Sequence, residues 1–320
     1  MLFSALLLLG FLPSARAEAP MIKTQAPGYY RMMVGQFEVT ALYDGFVEMD
    51  TNMLRNASEK ETQDLLSRMF AGGPKILAST NAYLVNTGSK LVLVDAGAGK
   101  VFGPTLGGLI TNLRAAGYDP AQVDAVVITH IHGDHVGGLL DPAGKPAFPN
   151  AVVYAAKLES DFWLSVSVAE KAPAEYRKYF QMARDLAAPY LALGKWKTFA
   201  GGETPVSGIK TILIPGHTPG HTAFEVSDGK ESLLIIGDMV HSLAVQFPRP
   251  DVAFEYDTDK KQAVTVREAL FKSAAQRKVL VAGMHLPFPG IGRIRADGNN
   301  AYTWVPVEFS SIKGSKGGAY

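Results

Sequence analysis

The sequence has no cysteine among its 320 residues, so disulfide bonds, a thiolate nucleophile and thiolate metal ligands are all excluded. Any metal ion would therefore be bound by nitrogen and oxygen atoms. An excess of charge of one sign is also lacking, since 31 basic and 30 acidic side chains leave a formal net charge of +1. Without a basic stripe to neutralise phosphates, no nucleic acid is expected as a partner, and a small uncharged substrate fits better.

Long hydrophobic runs are lacking as well. The apolar stretch at residues 2–12 is too short to span a bilayer comfortably, so no stable membrane insertion is expected. It is followed by Ala15-Arg16-Ala17, a small-x-small pattern typical of a signal-peptide cleavage site. Residues 1–17 are therefore predicted to be a signal peptide, and the protein is predicted to be secreted or periplasmic. A membrane anchor is the alternative, because the segment before the apolar run has no Lys or Arg.

Before and between the regular segments, three stretches have their own patterns. Residues 31–43 alternate as in a β-strand, and residues 58–70 predict a helix with Ser58 as N-cap and Glu61 at the capping-box position. Residues 157–193 are rich in Ala, aromatic and charged residues, which predicts two inserted helices that cap a site.

The same order of elements occurs twice in the sequence, which indicates an internal duplication. A hairpin with a Gly-containing turn ends in Asp95 or Asp238, a helix crosses over, and the next strand is followed by His130 or His285. The predicted segments are 81–86, 90–95, 106–117 and 125–129 in the first half, and 222–226, 233–236, about 258–275 and 279–282 in the second. Two sheets with helices on their outer faces predict an α+β fold, a four-layer αββα sandwich, with residues 18–320 as a single domain.

The strongest chemical signal is the segment His130-Ile131-His132-Gly133-Asp134-His135, directly after a predicted strand. Residues two apart in extended backbone point to the same side, so His130 and His132 can bind one metal ion. The turn at Gly133 lets Asp134 and His135 face a second ion. Of the 7 histidines in the chain, 5 lie in this segment or at predicted strand ends, which favours metal binding over five unrelated core or surface histidines.

Strand-end residues complete the predicted ligand set, since the ends of strands at one edge of a sandwich converge. The predicted ligands are His130, His132 and His217 for one metal, Asp134, His135 and His285 for the other, and Asp238 shared between them. A bridging carboxylate holds two cations about 3.5–4 Å apart, and a metal-bound water can have its pKa lowered to about 7. The expected cofactors are two divalent metal ions per chain, with zinc favoured and manganese, iron, cobalt or nickel as alternatives.

Other residues give weaker signals. Asp95 is interpreted either as a carboxylate that orients a metal ligand or as a turn former, and His221 as a structural residue. His241 follows Asp238 by three residues, so it is a candidate to line the cavity and act in catalysis with Asp238; an ordinary buried histidine is the alternative. Three aromatic residues are predicted either to form an apolar pocket wall or to be core: Phe102, Trp163 and Phe180.

The sequence resembles the metallo-β-lactamase superfamily, whose HxHxDH signature is found here at residues 130–135. Within it the chain is similar to the methyl parathion hydrolase-like branch, which includes secreted lactonases, arylesterases and organophosphate hydrolases. The segments that carry the resemblance include LVNTGSKLVLVDAGA, THIHGDHVGGL, GHTPGHT and FPGIGRIRADG. The resemblance implies the αββα metallo-β-lactamase fold, a dinuclear metal site, an aromatic substrate pocket and a homodimer.

The resemblance also implies hydrolysis. Organophosphate-hydrolysing members of the branch have an apolar residue where this chain has His241, and smaller side chains in place of Phe254 and Tyr256. These three residues predict a narrower and more polar substrate pocket, so a neutral lactone or aryl ester is expected, with a metal-bridging hydroxide attacking the carbonyl carbon. Hydrolysis of phosphotriesters is the alternative activity, and a metal-loaded binding protein without turnover is the alternative of another class. His241 and Tyr256 are both candidates for the general acid.

Overall fold

The computed structural model describes residues 19–229, 231–310 and 312; the predicted signal peptide, residues 1–17, lies outside the described residues. The strands are β1 (Tyr29–Val34), β2 (Phe37–Asp50), β3 (Leu54–Arg55), β4 (Lys75–Asn86), β5 (Leu91–Val94), β6 (Ala125–Val127), β7 (Val152–Ala156), β8 (Trp196–Phe199), β9 (Ile209–Leu213), β10 (Thr222–Ser227), β11 (Ser232–Ile235), β12 (Ala253–Phe254), β13 (Leu280–Ala282), β14 (Ile291–Gly298) and β15 (Ala301–Pro306). The α-helices are α1 (Glu59–Ser67), α2 (Leu109–Ala115), α3 (Gly133–Val136), α4 (Lys157–Trp163), α5 (Val166–Lys171), α6 (Arg177–Ala192), α7 (Leu243–Gln246) and α8 (Lys260–Arg277). Short 3-10 helices lie at Thr51–Met53, Pro120–Gln122, Gly137–Leu139 and Ala174–Tyr176.

The strands form two large mixed sheets. One has the order β1-β2-β4-β5-β6-β7-β8, the other the order β15-β14-β13-β11-β10-β9, and β12 pairs with β3 separately. In the first sheet β4 and β5 are an antiparallel hairpin, and β5 pairs with β6 in parallel across α2. In the second sheet β10 and β11 are an antiparallel hairpin, and β11 pairs with β13 in parallel across α8. The predicted repeat of hairpin, helix and parallel strand is therefore confirmed in both halves.

Alternate residues of the central strands pack in different layers, because successive side chains of a strand point to opposite faces. Val92 and Val94 of β5 pack with Leu233 and Ile235 of β11 between the two sheets. Leu91 and Leu93 of β5 instead pack with the outer helices α2 and α6. On the other outer face, strands β11 and β13 pack against α8. These layers form the predicted αββα sandwich, and each fully buried aliphatic side chain stabilises it by about 1.5–3 kcal/mol.

Local differences from the sequence-based predictions have simple physical causes. The single strand predicted over residues 31–43 is a hairpin of β1 and β2, because Gly35 has φ +58° and turns the chain. The cap contains three helices and a 3-10 turn where two helices were predicted, since Pro173 and the Ser165 N-cap divide the segment. Ser58 caps α1 as predicted.

The carboxyl ends of β6, β11 and β13 are placed beside one another by the parallel pairing and by the packing of the sheets. The predicted metal ligands follow these ends and the end of β9. Across the described part of the chain, no helix combines the length and apolar character needed to cross a membrane.

Candidate active site

The seven predicted metal ligands are brought together in two clusters that share Asp238. The first cluster consists of His130, His132, His217 and Asp238, and the second of Asp134, His135, His285 and Asp238. Within each cluster the potential ligand atoms all lie within 4.8 Å of one another. The side chains come from the loops after β6, β9, β11 and β13, so both halves of the repeat contribute to each cluster.

In the first cluster, three imidazole nitrogens face a common point. Nδ1 of His132 lies 3.0 Å from Nε2 of His130 and 3.1 Å from Nε2 of His217. Oδ2 of Asp238 lies 3.5 Å from the same His217 nitrogen and 3.7 Å from the His130 nitrogen. Tetrahedral ligands at about 2.0–2.1 Å from a zinc ion would be roughly 3.3–3.4 Å apart, so these spacings fit one metal ion.

In the second cluster, two carboxylates alternate with two histidines. Nε2 of His285 lies 2.9 Å from Oδ2 of Asp238 and 3.3 Å from Oδ2 of Asp134. Nε2 of His135 lies 3.1 Å from Oδ1 of Asp238 and 3.6 Å from Oδ2 of Asp134. The two carboxylates thus contact the same pair of imidazoles.

Charge and unpaired atoms show that cations fit this donor set. Among the described residues, His135 Nε2 and Asp238 Oδ1 are buried, face each other at 3.1 Å and have no other hydrogen-bond partner. Burial would lower the pKa of His285, but the carboxylates of Asp238 and Asp134 raise it to about 10. Without metal ions, a proton on His285 therefore compensates the negative charge of Asp134 and Asp238, which a bound cation would otherwise compensate. Burial, reinforced by His217, lowers the pKa of His132 to about 3, which leaves a neutral imidazole with a lone pair for a metal.

Asp95 supports ligands of both clusters. One of its carboxylate oxygens, Oδ2, lies 2.7 Å from Nδ1 of His135 and accepts a hydrogen bond from the Thr129 hydroxyl, whose oxygen is 3.1 Å from Nδ1 of His130. The Thr129 backbone N–H donates to the other oxygen at 2.7 Å. Asp95 has a left-handed backbone with φ +59°, a strained conformation that costs about 1–3 kcal/mol and that these bonds maintain. The structure therefore places Asp95 as an orienting carboxylate.

His221 also lies against the clusters, under the turn that carries Asp238. Nε2 of His221 accepts a hydrogen bond from the Asp238 backbone N–H at 3.2 Å. Gly237 has φ +53°, and a Cβ there would lie 2.3 Å from the same His221 nitrogen, so only glycine fits. His221 is thus placed as a structural residue that positions the shared ligand.

An apolar cavity of about 550 Å³ opens onto the two clusters, a size suited to a small molecule. All six residues predicted to bind substrate line it: Phe102, Trp163, Phe180, His241, Phe254 and Tyr256. Trp163 and Phe180 are buried with ring centroids 4.7 Å apart, whereas Phe102 is exposed at the opening. No lysine or arginine from residues that the structure describes lines the cavity.

His241 lies between the clusters and the aromatic wall. Its ring stacks on Phe254 at a centroid distance of 4.2 Å, and its Nε2 lies 3.2 Å from Oδ2 of Asp238. Burial lowers the pKa of His241 to about 4, so the imidazole is neutral at pH 7. Because a carboxylate oxygen only accepts hydrogen bonds, the proton lies on Nε2. The half-exposed Tyr256 stands beside Phe254, with ring centroids 5.8 Å apart.

The two ligand clusters lie within the part of the sequence that matches a family model. The model of the metallo-β-lactamase superfamily matches residues 77–285, which is more than half of the chain and contains all seven clustered side chains. The chain belongs to the metallo-β-lactamase superfamily. Among curated proteins, the chain is 26% identical over 193 residues to the lactamase-like protein adaB of Aspergillus niger, covering 60% of this chain and 49% of that protein.

Two further relatives are lactonases. The N-acyl homoserine lactonase AttM of Agrobacterium fabrum is 29% identical over 143 residues, 42% of this chain and 48% of that protein. The N-acyl homoserine lactonase of Bacillus cereus is 26% identical over 128 residues, 40% of this chain and 42% of that protein. The chain thus spans about half the length of the curated relatives it matches, or somewhat less.

Solved structures match over more of the chain. The hydrolase AbOPH of the β-lactamase superfamily is 39% identical with a TM-score of 0.86, covering 90% of this chain and 100% of that one. AidC, a dizinc quorum-quenching lactonase in complex with a product, N-hexanoyl-L-homoserine, is 30% identical with a TM-score of 0.82, covering 89% and 99%. The predicted fold is therefore confirmed.

Asp257 and Arg267 are buried charged residues beside the site that were not predicted from sequence. Oδ1 of Asp257 lies 2.8 Å from Nδ1 of His217, and although burial opposes it, this hydrogen bond brings the pKa of Asp257 to about 2. Arg267 of α8 lies 3.9 Å from the other oxygen of Asp257 and donates to the backbone carbonyl of Met239 at 2.7 Å. Asp257 lies near the N-cap of α8, and a carboxylate at such a position is expected to cap the helix. The sequence therefore gave no separate signal for its contact with His217.

Proposed function

We propose that this chain is a dinuclear metal-dependent hydrolase of neutral lactones or aryl esters. The observation that carries the proposal is the position of Asp238. Its carboxylate belongs to both ligand clusters and faces an apolar cavity lined by aromatic side chains. Shared carboxylates of this kind are typical of two-metal hydrolases.

The metal ions would be held by the seven clustered residues. His130, His132 and His217 would bind one ion, Asp134, His135 and His285 the other, and Asp238 both. When bound, such a pair supplies Lewis acidity and a water molecule that ionises near neutral pH. Zinc is favoured because AidC is a dizinc enzyme, but manganese, iron, cobalt and nickel also accept histidine and carboxylate ligands.

The remaining polar groups of the cavity would position the substrate and handle protons. The neutral His241 holds its N–H against Asp238, and we assign it to orienting the reacting group beside the clusters. Burial raises the pKa of the Tyr256 hydroxyl, so it stays protonated near neutral pH and is a candidate proton donor to the leaving group. The aromatic wall would keep bulk water from the bound substrate.

The cavity disfavours a negatively charged substrate. It lacks lysine and arginine among the described lining residues, and such residues are what would hold a substrate carboxylate. His241 and Phe254 stack at 4.2 Å and narrow the space next to Asp238, which favours a planar ester carbonyl over a bulkier tetrahedral phosphorus. The similarity to N-acyl homoserine lactonases supports a lactone.

The sequence of residues 1–17 leads us to propose that the chain is exported, with cleavage after Ala17. N-terminal sequencing of protein recovered from the periplasm or medium would show a new terminus at Glu18. Recovery of the uncleaved chain from the membrane fraction would instead support the anchor.

The test of the proposed activity combines metal analysis with a substrate panel. We expect about two metal ions per chain, and loss and recovery of activity together on chelation and metal return. Dihydrocoumarin and an acyl-homoserine lactone should have higher kcat/KM than methyl parathion at equal enzyme. A higher kcat/KM for methyl parathion would reverse the substrate assignment, and metal-loaded protein without turnover of any substrate would indicate a binding protein.

A further inference from the structure

Glu159 is a completely buried carboxylate on α4, the first helix of the cap. In the described part of the chain no lysine or arginine forms an ion pair with it. A buried carboxylate without a cation is costly unless hydrogen bonds satisfy its oxygens. Its contacts therefore indicate what keeps it there.

Both oxygens of Glu159 accept hydrogen bonds from backbone N–H groups of ligand-bearing loops. Oε2 accepts from Ile131 at 3.0 Å, and Oε1 accepts from Gly220 at 2.7 Å. Ile131 lies between His130 and His132, and Gly220 is three residues after His217. One side chain thus connects the two loops that carry all three histidines of the first cluster.

The helix itself is packed closely against the second of these loops. A Cβ on Gly220 would lie 2.6 Å from the backbone nitrogen of Glu159, so glycine permits the contact. One turn further along α4, Trp163 lines the cavity with its ring centroid 5.1 Å from that of His132. The cap and the first cluster therefore meet at Glu159.

The second cluster has different supports. His135 is held by Asp95, and Nδ1 of His285 lies 2.8 Å from the backbone carbonyl oxygen of Ser79. Neither contact involves Glu159 or the cap. A change at Glu159 should therefore affect the first cluster more than the second, whose His135 and His285 keep these supports.

We propose that Glu159 is a positioning residue that fixes the three histidines of the first cluster and couples metal binding there to docking of the cap. The proposal rests on the dinuclear site of the proposed function. Reciprocity follows from linkage, since a metal that stabilises the loops also stabilises the helix that they hold.

The first test is zinc affinity of E159Q in the full-length mature protein. Glutamine keeps the volume but has only one acceptor oxygen, so one backbone N–H is left facing an amide donor. The matched control is D124N, since Asp124 is also a carboxylate that accepts a backbone N–H bond, from Leu91, and it lies at the opposite end of β5 and β6 from both clusters. Competition with a chromophoric chelator measures both zinc equivalents.

We expect E159Q to bind one zinc equivalent about 10–100-fold more weakly, as is typical for a lost partner of ligand residues, and the other within about threefold of wild type. D124N should keep both affinities. Visible spectra of the cobalt-loaded proteins assign the weakened site. D134N removes a ligand of the second cluster and should retain the cobalt signal of the first cluster. E159Q should lose that signal. Unchanged affinities in E159Q, or equal weakening of both, would overturn the proposal.

The second test measures amide hydrogen exchange in residues 157–192. Exchange in this segment should be faster in zinc-loaded E159Q than in zinc-loaded wild type, and chelation of wild type should produce the same increase. D124N should match wild type. Unchanged exchange on chelation would show that cap and metal are not coupled. Fewer than two metals in wild-type protein would refute the dinuclear site itself, and this proposal with it, so the two failures are distinguishable.

Discussion

The two halves of the repeat deliver their ligands in different ways. In the first half, four ligands lie within residues 130–135, on one loop and the short helix α3 that follows β6. In the second half, His217, Asp238 and His285 follow three different strands. In the first half, the backbone conformation of one short segment largely determines where the four ligands lie. In the second half, the positions of the ligands depend on how the second sheet packs against the first.

The supports follow the same division. In the first half, Asp95 reaches His135 directly and His130 through Thr129, and Glu159 accepts a hydrogen bond from Ile131, between His130 and His132. In the second half each ligand has a separate partner: His217 has Asp257, His285 has the Ser79 carbonyl, and Asp238 has His221. The two halves of a duplicated fold can therefore support one metal centre differently. In the first half one carboxylate, that of Asp95, contacts or reaches ligands of both clusters, whereas in the second half each ligand has its own partner.

The strongest way to break this comparison is to remove the ligand common to both clusters. Asp238→Ala should weaken both metal ions and lower kcat/KM by more than about a hundredfold, because loss of an outer partner already costs about 10–100-fold. Metal analysis and lactone hydrolysis would measure both effects. His132→Ala is the control, since it should weaken only the first cluster. Wild-type rates in an Asp238→Ala protein that retains two metals would contradict the bridging role.

Removal of the metal ions tests how much metal binding by ligands from both halves stabilises the folded chain. At a free metal concentration of 100 times Kd, each bound ion adds about 2.7 kcal/mol to the free energy of unfolding. Chelation should therefore lower Tm by roughly 4 °C per ion in a chain of this size, and zinc should restore it. Scanning calorimetry with and without chelator measures the shift. An unchanged Tm would mean that metal does not bind the folded protein preferentially.

Asp95 and Asp257, the carboxylates that contact metal ligands from outside the clusters, test whether the supports of the two halves differ. Asp95→Asn should weaken both metal equivalents by about 10–100-fold, because Asp95 reaches ligands of both clusters, whereas Asp257→Asn should weaken only the equivalent bound through His217. Chelator competition resolves the two. Asp124→Asn is a control at a carboxylate that bonds Lys90 at the surface. If Asp257→Asn weakened both ions equally, the supports would not be divided as described.

The smallest effect is expected at the surface contact between the halves. Arg249 contacts Glu61 of α1 and lies 2.8 Å from Asp251, whose pKa it holds below the ordinary value. Because the folded pKa is lowered, this stabilisation is present above the unfolded pKa of about 3.9 and is lost as pH falls through the folded pKa.

Asp251→Asn should therefore lower the free energy of unfolding at pH 7 by no more than about 1 kcal/mol, since both groups are partly exposed. Urea denaturation of metal-free wild type and variant measures the difference, which should shrink towards pH 3. A difference that grew at low pH would have the wrong sign for this ion pair.

The sequence predicted features whose cause is local. The hairpins at Gly88 and Gly229, the Ser58 cap and the compact His130–His135 segment all have signals within a few residues. The αββα fold followed because the same local order occurs twice. The clustering of the three distant ligands could be predicted because each follows a strand.

The features that escaped prediction depend on distant contacts. Glu159 and Arg267 look like ordinary charged residues of amphipathic helices, yet both are buried because backbone groups from other loops satisfy them. Glu61 occupies the capping-box position, but its carboxylate contacts Arg249. No nearby residue signals such partners, since the chain brings them together only after the sheets have packed.

The distribution of ligands along the chain also has a consequence for metal acquisition. His285 follows β13 near the end of the chain, so neither cluster can be completed by a partly synthesised protein that lacks Asp238 and His285. The first cluster is complete only once Asp238 has been made, and the second only once His285 has been made. If the chain is exported unfolded, it will take its ions from the compartment where it folds, and the metal supply there, rather than ligand preference, will determine which enzyme form is made.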